Sequence, residues 1–263
     1  MDESFVRWSR GTKRIATTLG IGVFFFLYAP LLVLIVFSFS GARTLSLPIE
    51  SWTLDWYREL AADEDLKRAA LNSLKVAAAV VPLTLLLGVP AGYALGRFAF
   101  RGSQVVEHLL TLPLMIPGIV TGLSILLLLK AFGLPLSLWA VVLGHAVAWL
   151  PVVIGQVMAR LSRLDPLMEE ASLDLGAGYL ETFLRVVLPN LSAAVIGGGL
   201  LVFTLSFDEV AITFLLTGSE NTLPMQIWAM LRQGVTPEIC AVATLTILAS
   251  AALIALSVRL GRR

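Results

Sequence analysis

The sequence predicts an all-α polytopic membrane protein with six transmembrane helices. Three observations carry this expectation. The 263-residue chain is 57% hydrophobic and only 14% charged, with a mean hydropathy of +0.87, whereas soluble domains carry about 25% charged residues. Six apolar runs, near 15–39, 71–96, 105–130, 138–158, 191–216 and 239–259, reach the roughly 20 residues that a spanning helix needs. Within them the apolar residues are continuous instead of alternating, which excludes a β-barrel pattern.

The first run follows Arg7, Arg10, Lys13 and Arg14. That basic start resembles a secretion signal, but the apolar run is too long and no A-x-A site follows it, so it reads as an uncleaved first helix. The later runs contain Pro82, Pro90, Pro113, Pro117 and Pro151, and the first contains Pro30. A proline removes a backbone donor, which is tolerated beside other helices or a water-filled path and costly against lipid. "LPLMIPGIVTGL" (112–123) holds two prolines and two glycines. It has two readings, an irregular packed helix or a helix bent beside a pathway. Gly197-Gly198-Gly199 in the fifth run suggests close helix–helix approach. No internal repeat or long linker divides the chain, so residues 1–263 read as a single transmembrane domain.

Lysine and arginine set the orientation. With the N-terminus cytoplasmic, the inner segments hold twelve basic residues: the four of 1–14, then Arg97, Arg101, Arg160, Arg163, Arg185, Arg259, Arg262 and Arg263. The outer segments hold six: Arg43, Arg58, Lys67, Arg68, Lys130 and Arg232. Both termini are therefore expected inside, together with a polar loop at 160–190.

Several chemistries are absent. No G-x-x-x-x-G-K-[ST] occurs, so no P-loop for ATP is expected in this chain. There is no G-x-S-x-G elbow and no H-E-x-x-H pair. One cysteine, Cys240, and two distant histidines, His108 and His145, supply no metal-ligand spacing. The sequence thus points to no catalytic residue, bound cofactor or metal, and no nucleic-acid partner is expected. A lone histidine in an apolar run reads as a packed, hydrogen-bonded residue.

The loop "RLSRLDPLMEEASLDLGAGYLETFLRVVLPN" (160–190) is the polar exception. Asp165-Pro166 is a helix start, since Asp caps free N–H groups and Pro fits the first helical position. Glu169 and Glu170 lie near the positive end of that helix, which is expected to run to about Leu175. Gly176 and Gly178 permit a turn, and 179–188 is expected to form a second helix, with Pro189 before the next span. Ala171, Ser172, Gly176, Ala177 and Gly178 leave small side chains that let another protein approach. A solvated amphipathic connector is the alternative.

"EASLDLGAGYLETFLRVVLP" resembles the E-A-A-x-x-x-G-x(9)-I-x-L-P signature of type I ABC importer permeases. Glu170, Ala171, Gly176, Leu188 and Pro189 match, Ser172 replaces the second alanine, and Val186 holds the aliphatic position. The resemblance implies a type I ABC importer permease fold in which this loop is a coupling helix docking on a separate ATPase, with Glu169, Glu170, Ala171, Ser172, Asp174, Gly176 and Ala177 at the contact. It also implies two ATPase subunits that use ATP and Mg, a second six-span permease, an extracytoplasmic solute-binding protein and a bacterial inner-membrane location. Transport would proceed by alternating access.

Further stretches, 72–102, 112–128, 201–218 and 223–245, look like the second (C-type) permease of spermidine/putrescine importers; relatives of that cluster handle iron(III), phosphonates or opines. Asp208 and Glu209 in "SFDEV" fall inside the fifth run, where ionisable residues face a cavity or a partner. They are candidate contacts for a cationic solute; alternatively they pair with a basic residue of the partner permease or cap a broken helix. Glu220 and Glu238 are expected outside, where a binding protein could meet them. Residues 223–233, "LPMQIWAMLRQ", read as an outer interfacial helix with Trp228 at headgroup level. A stand-alone secondary transporter or a non-transporting scaffold leaves the loop signature or the acidic pair without a purpose.

Overall fold

The structure, a computed structural model, describes residues 10–98 and 100–248. Arg7, the 249–259 portion of the sixth expected span, and Arg259, Arg262 and Arg263 lie outside the described residues. The fold is helical. Among the described residues the sole β pairing is an isolated bridge between Ser40 and Trp52. The chain divides into two compact units, residues 1–63 with 229–263, and residues 64–228.

In the first unit, α1 (Arg10–Phe37) continues through Pro30. After it, the Trp56 indole donates to Ser40 O at 2.7 Å and the Ser38 and Tyr57 hydroxyls meet at 2.7 Å. These bonds hold α2 (Asp55–Ala62) against the segment that follows α1. An apolar helix at Pro237–Leu248 also belongs here.

The second unit opens with α3 (Glu64–Arg97), which begins seven residues before the expected span. Glu64 and Asp65 occupy its first turn, and Lys67 and Arg68 pair with them one turn later at 2.8 and 4.0 Å. This polar extension brings the helix to 34 residues, about 51 Å, longer than the ~30 Å hydrocarbon core. Pro82 and Pro90 do not end it.

The third expected span is not one helix. α4 (Ser103–Met115) and α5 (Gly118–Ala131) meet at 105°. Pro117 disfavours the α region at Ile116, which is extended at φ −85°, ψ 133°. The two prolines and two glycines of 112–123 thus produce a sharp break. α6 (Leu138–Leu161) is long and apolar enough to span, and Ser137 caps its start.

After the loop helix α7 (Leu167–Asp174), the chain forms α8 (Tyr179–Thr182), a π-helical stretch Phe183–Val187, and α9 (Leu188–Phe207). These last three run as one 29-residue helix. The expected separate second helix of the loop is therefore the start of the fifth span. Pro189 does not interrupt it: it lies in the first turn of α9, and the preceding Leu188 N–H bonds back to Phe183 O in the π turn. The fifth run breaks instead at Asp208, before α10 (Ala211–Leu216). α11 (Leu223–Gln233) has the bounds expected for the interfacial helix, and Trp228 is half exposed.

The core joins α3, α6 and α9 through Val76, Val80, Val153, Val157, Leu191 and Val202. Glycines set the closest approach. A Cβ on Gly88 would lie 2.8 Å from Val153, one on Gly92 2.9 Å from Val157, and one on Gly96 3.0 Å from Leu161. The stripe 88/92/96 lets α3 lie directly on α6. By contrast Gly197 meets nothing and Gly198 and Gly199 make ordinary contacts, so the glycine triplet is not where the helices come closest. Among the described residues, four helices are long and apolar enough to cross a membrane, or five if the bent pair counts as one.

Candidate functional site

Two places in the second unit concentrate polar chemistry. The first is the loop. The Asp165 carboxylate accepts the Leu167 N–H at 3.0 Å, which starts α7 as an acidic cap should. Gly176 ends the turn at φ +91°, a left-handed conformation that glycine adopts without a Cβ penalty. Ser172 and Thr182 hydroxyls meet at 2.9 Å and tie the two arms.

The residues expected at the docking face do not all point the same way. Glu170, Ala171, Asp174 and Gly176 are exposed, and Ser172 and Ala177 are partly so. Glu169 turns inward. Tyr93 donates its hydroxyl to one Glu169 oxygen at 2.6 Å and Arg97 donates Nε to the other at 2.7 Å. The outer surface also carries apolar tips that sequence reasoning missed: Leu175 is 90% exposed, and Leu167, Tyr179 and Leu180 are exposed beside it. Their helical spacing gave no sign of this, because leucines in a loop helix read equally well as its packed face.

The second place is the break in the fifth run. Asp208 ends α9 and is exposed. Glu209 is not its equivalent. Its carboxylate accepts the Ile212 N–H at 2.9 and 3.0 Å and the Thr213 N–H at 3.0 Å, satisfying the free donors at the start of α10. Its Oε2 lies 3.3 Å from His145 Nε2. His145, on α6 and 1% exposed, also meets Ser206 Oγ at 2.8 Å and Thr213 Oγ1 at 3.0 Å. The histidine is thus packed and hydrogen-bonded, and the Glu209 carboxylate caps the start of α10.

The other break adjoins this one. A Cβ on Gly118, at the start of α5, would lie 3.4 Å from Glu209 Oε1. Gly122 and Gly144 bring α5 and α6 onto Ile212 of α10, where added Cβ atoms would stand 3.1 and 2.7 Å from it. Two interrupted helices therefore meet at these glycines. Glu220 accepts from Asn72 Nδ2 at 2.8 Å, so α3 holds the turn after α10. Among the described residues no His/Cys/Asp/Glu cluster of metal-binding form occurs.

Apolar helices broken at protein-lined points, with one projecting helical loop, describe the membrane subunit of a transporter. The sequence profile of the binding-protein-dependent transport system inner membrane component matches residues 88–263. The chain is 40% identical over 233 residues to the putrescine transport system permease protein PotI of Escherichia coli K12, covering 84% of this chain and 82% of that one. It is 35% identical over 242 residues to the spermidine/putrescine transport system permease protein PotC of Haemophilus influenzae, covering 92% and 94%. Among solved structures it resembles a bacterial ABC transporter that imports the acidic polysaccharide alginate, with TM-score 0.72, 17% identity, and 97% and 98% of the two chains covered. It also resembles the MetNI methionine ABC transporter, with TM-score 0.62, 16% identity, and 73% and 92% covered; at these identities the likeness is one of fold. The chain belongs to the inner-membrane permease family of binding-protein-dependent transporters. It is a permease subunit of an ABC importer, similar to the C-type permeases, and a transport subunit rather than an enzyme.

Proposed function

We propose that this permease conducts a polyamine, putrescine or spermidine, by alternating access. The observation that carries the reading is Asp208: an exposed carboxylate at the broken point of a spanning helix, beside a neighbour whose charge is already taken up internally. An organic dication supplies the charge that such a carboxylate lacks in an apolar setting. The names of the PotI and PotC relatives support the same solute class.

The chain is read as one permease domain with both termini cytoplasmic and six spans. The bent pair counts as the third, and the sixth starts at 239, just after Glu238, within the apolar helix Pro237–Leu248. The 160–190 loop, with Glu170, Ala171, Ser172, Asp174, Gly176 and Ala177 outward, docks on an ATPase. Two ATPase subunits using ATP and Mg, a second permease and an extracytoplasmic binding protein complete the complex. ATP-driven closure of the motor moves the loop and opens the path outward, and hydrolysis resets it. The test is uptake by the whole complex in proteoliposomes, with labelled putrescine and spermidine against iron(III), a phosphonate and an opine. Saturable, ATP-dependent polyamine uptake is the expected result; transport of one of the other solutes alone would overturn the polyamine assignment.

A further inference from the structure

Glu169 sits in the loop helix but spends its charge on the membrane helices. Both its oxygens are engaged, by Tyr93 and by Arg97, across 76 and 72 residues of sequence. Arg97 also donates to Leu164 O at 3.3 Å, in the segment that joins α6 to α7. The Arg97 and Glu169 side chains are only 14% and 16% exposed, whereas the other Arg or Lys pairs with carboxylates that are described lie within one turn of a helix and are far more open. The Tyr93 ring packs on Phe98 at 5.6 Å and on Phe183 at 5.0 Å. Phe183 lies in the π turn that leads into α9.

One cluster therefore joins the loop helix to α3, to the end of α6 and to the root of α9. The glycine stripe of α3 makes the first two of these helices a tightly packed pair. A close-packed pair passes on a displacement instead of absorbing it. Charge-assisted hydrogen bonds at 2.6–2.7 Å are short and strong for their type. Secluded pairs of this kind are poorly screened and lose most when one partner is removed.

We infer that Tyr93, Arg97 and Glu169 form a strut that carries movement of the loop helix into α3, and that Glu169 is a positioning residue and not a docking contact. Its neighbour Glu170 is exposed. The inference rests on the reading of 160–190 as the ATPase-docking loop.

The experiment uses the assembled complex and two readouts: ATPase recovered with the tagged permease, and ATP hydrolysed per putrescine imported. Glu169→Gln should leave recovery unchanged and raise the ATP-to-solute ratio, by about two- to thirtyfold for a residue on a coupling network. Tyr93→Phe removes one hydrogen bond and should raise the ratio less. The exchanged pair Arg97→Glu with Glu169→Arg should bring the ratio back toward wild type. Lost ATPase recovery in a folded Glu169→Gln complex would make Glu169 a docking contact and overturn the strut. An unchanged ratio in both Glu169→Gln and Tyr93→Phe would overturn it as well, and if Glu169→Gln fails to accumulate, an unchanged ratio in Tyr93→Phe alone suffices. Undiminished ATPase recovery with Glu170→Lys and Gly176→Pro would instead remove the docking reading, a separate failure.

Discussion

His145 Nε2 stands 3.3 Å from Glu209 Oε2, and the pair fastens the middle of α6 to the break between α9 and α10. The imidazole spends its second nitrogen on Ser206, in the last turn of α9. Each side of the break is thus tied to one histidine. His145→Leu keeps the volume and removes both ties. The buried Ser206 hydroxyl then loses its His145 partner, at a cost of about 1–3 kcal/mol, while Glu209 keeps its backbone donors. The solubilised protein should unfold at a lower temperature, and His145→Gln should recover part of the loss. An unchanged melting midpoint in His145→Leu would show that the pair holds nothing.

Some of this was legible in the sequence and some was not, for a physical reason. Length and apolarity placed α1, α3 and α6, and Asp165, Gly176 and the residues of α11 marked their own local structure, because capping, turn and interfacial signals act within a few residues. The different surroundings of Glu169 and Glu170 depend on Arg97, which lies 72 residues earlier. Those of Asp208 and Glu209 depend on His145, also remote in sequence. The crowded glycines 88, 92 and 96 look no different in sequence from 197–199, since only the facing side chains of α6 decide which glycine is crowded. The prolines and glycines of 112–123 left an irregular packed helix and a bent one equally open, and the 105° bend is legible only in the structure.

The stripe itself is testable. Gly92→Ala would place a Cβ 2.9 Å from Val157 Cβ and 3.0 Å from the Ile154 carbonyl oxygen. Backbone cannot step aside cheaply, so a loss of about 1–3 kcal/mol is expected from overpacking. Gly155→Ala, where a Cβ meets nothing within 4 Å, is the matched control and should be neutral or slightly stabilising. Equal melting midpoints for the two variants would contradict the close approach of α3 and α6.

The exposed apolar tips of the loop predict where docking energy lies. Leu175 and Tyr179 are exposed on a polar loop and fit the pattern of apolar anchors that fill a partner's groove. Leu175→Ser and Tyr179→Ser should each weaken ATPase binding roughly tenfold, the effect of an anchor worth more than 1 kcal/mol. Neither should lower the melting midpoint of the permease alone, because neither side chain is packed. Binding titrations with the purified ATPase check this; unaltered affinity in both variants removes them from the contact.

A pH effect follows from Glu238. Partial burial holds its carboxyl above the usual range, and the nearby Glu59 and Asp63 push it further in the same direction. A carboxyl whose folded pKa is raised favours the fold most below its unfolded pKa, and that contribution is lost as pH rises through the folded value. Glu238→Gln removes the titration. The variant should match wild type in melting midpoint near pH 4 and exceed it at pH 8. A constant difference across that range would show that Glu238 does not feel its acidic neighbours.

The sharpest separation concerns the acidic pair. Glu209 is held by two backbone donors and a histidine, while Asp208 is exposed at the end of α9. The two carboxylates should therefore respond differently to the same loss of charge. Asp208→Asn keeps the shape and removes a contact for an ammonium group. The KM for putrescine uptake should rise about tenfold, the order of one hydrogen bond to a charged partner, with the melting midpoint unchanged. Glu209→Gln retains one acceptor oxygen for the α10 donors but loses the second carboxylate oxygen, which leaves fewer acceptors for Ile212, Thr213 and His145. It should lower the melting midpoint and leave the KM near wild type. Uptake kinetics in proteoliposomes and thermal unfolding of the same preparations read both effects. If Glu209→Gln raises the KM while Asp208→Asn does not, the roles are reversed and Asp208 is not the solute's contact.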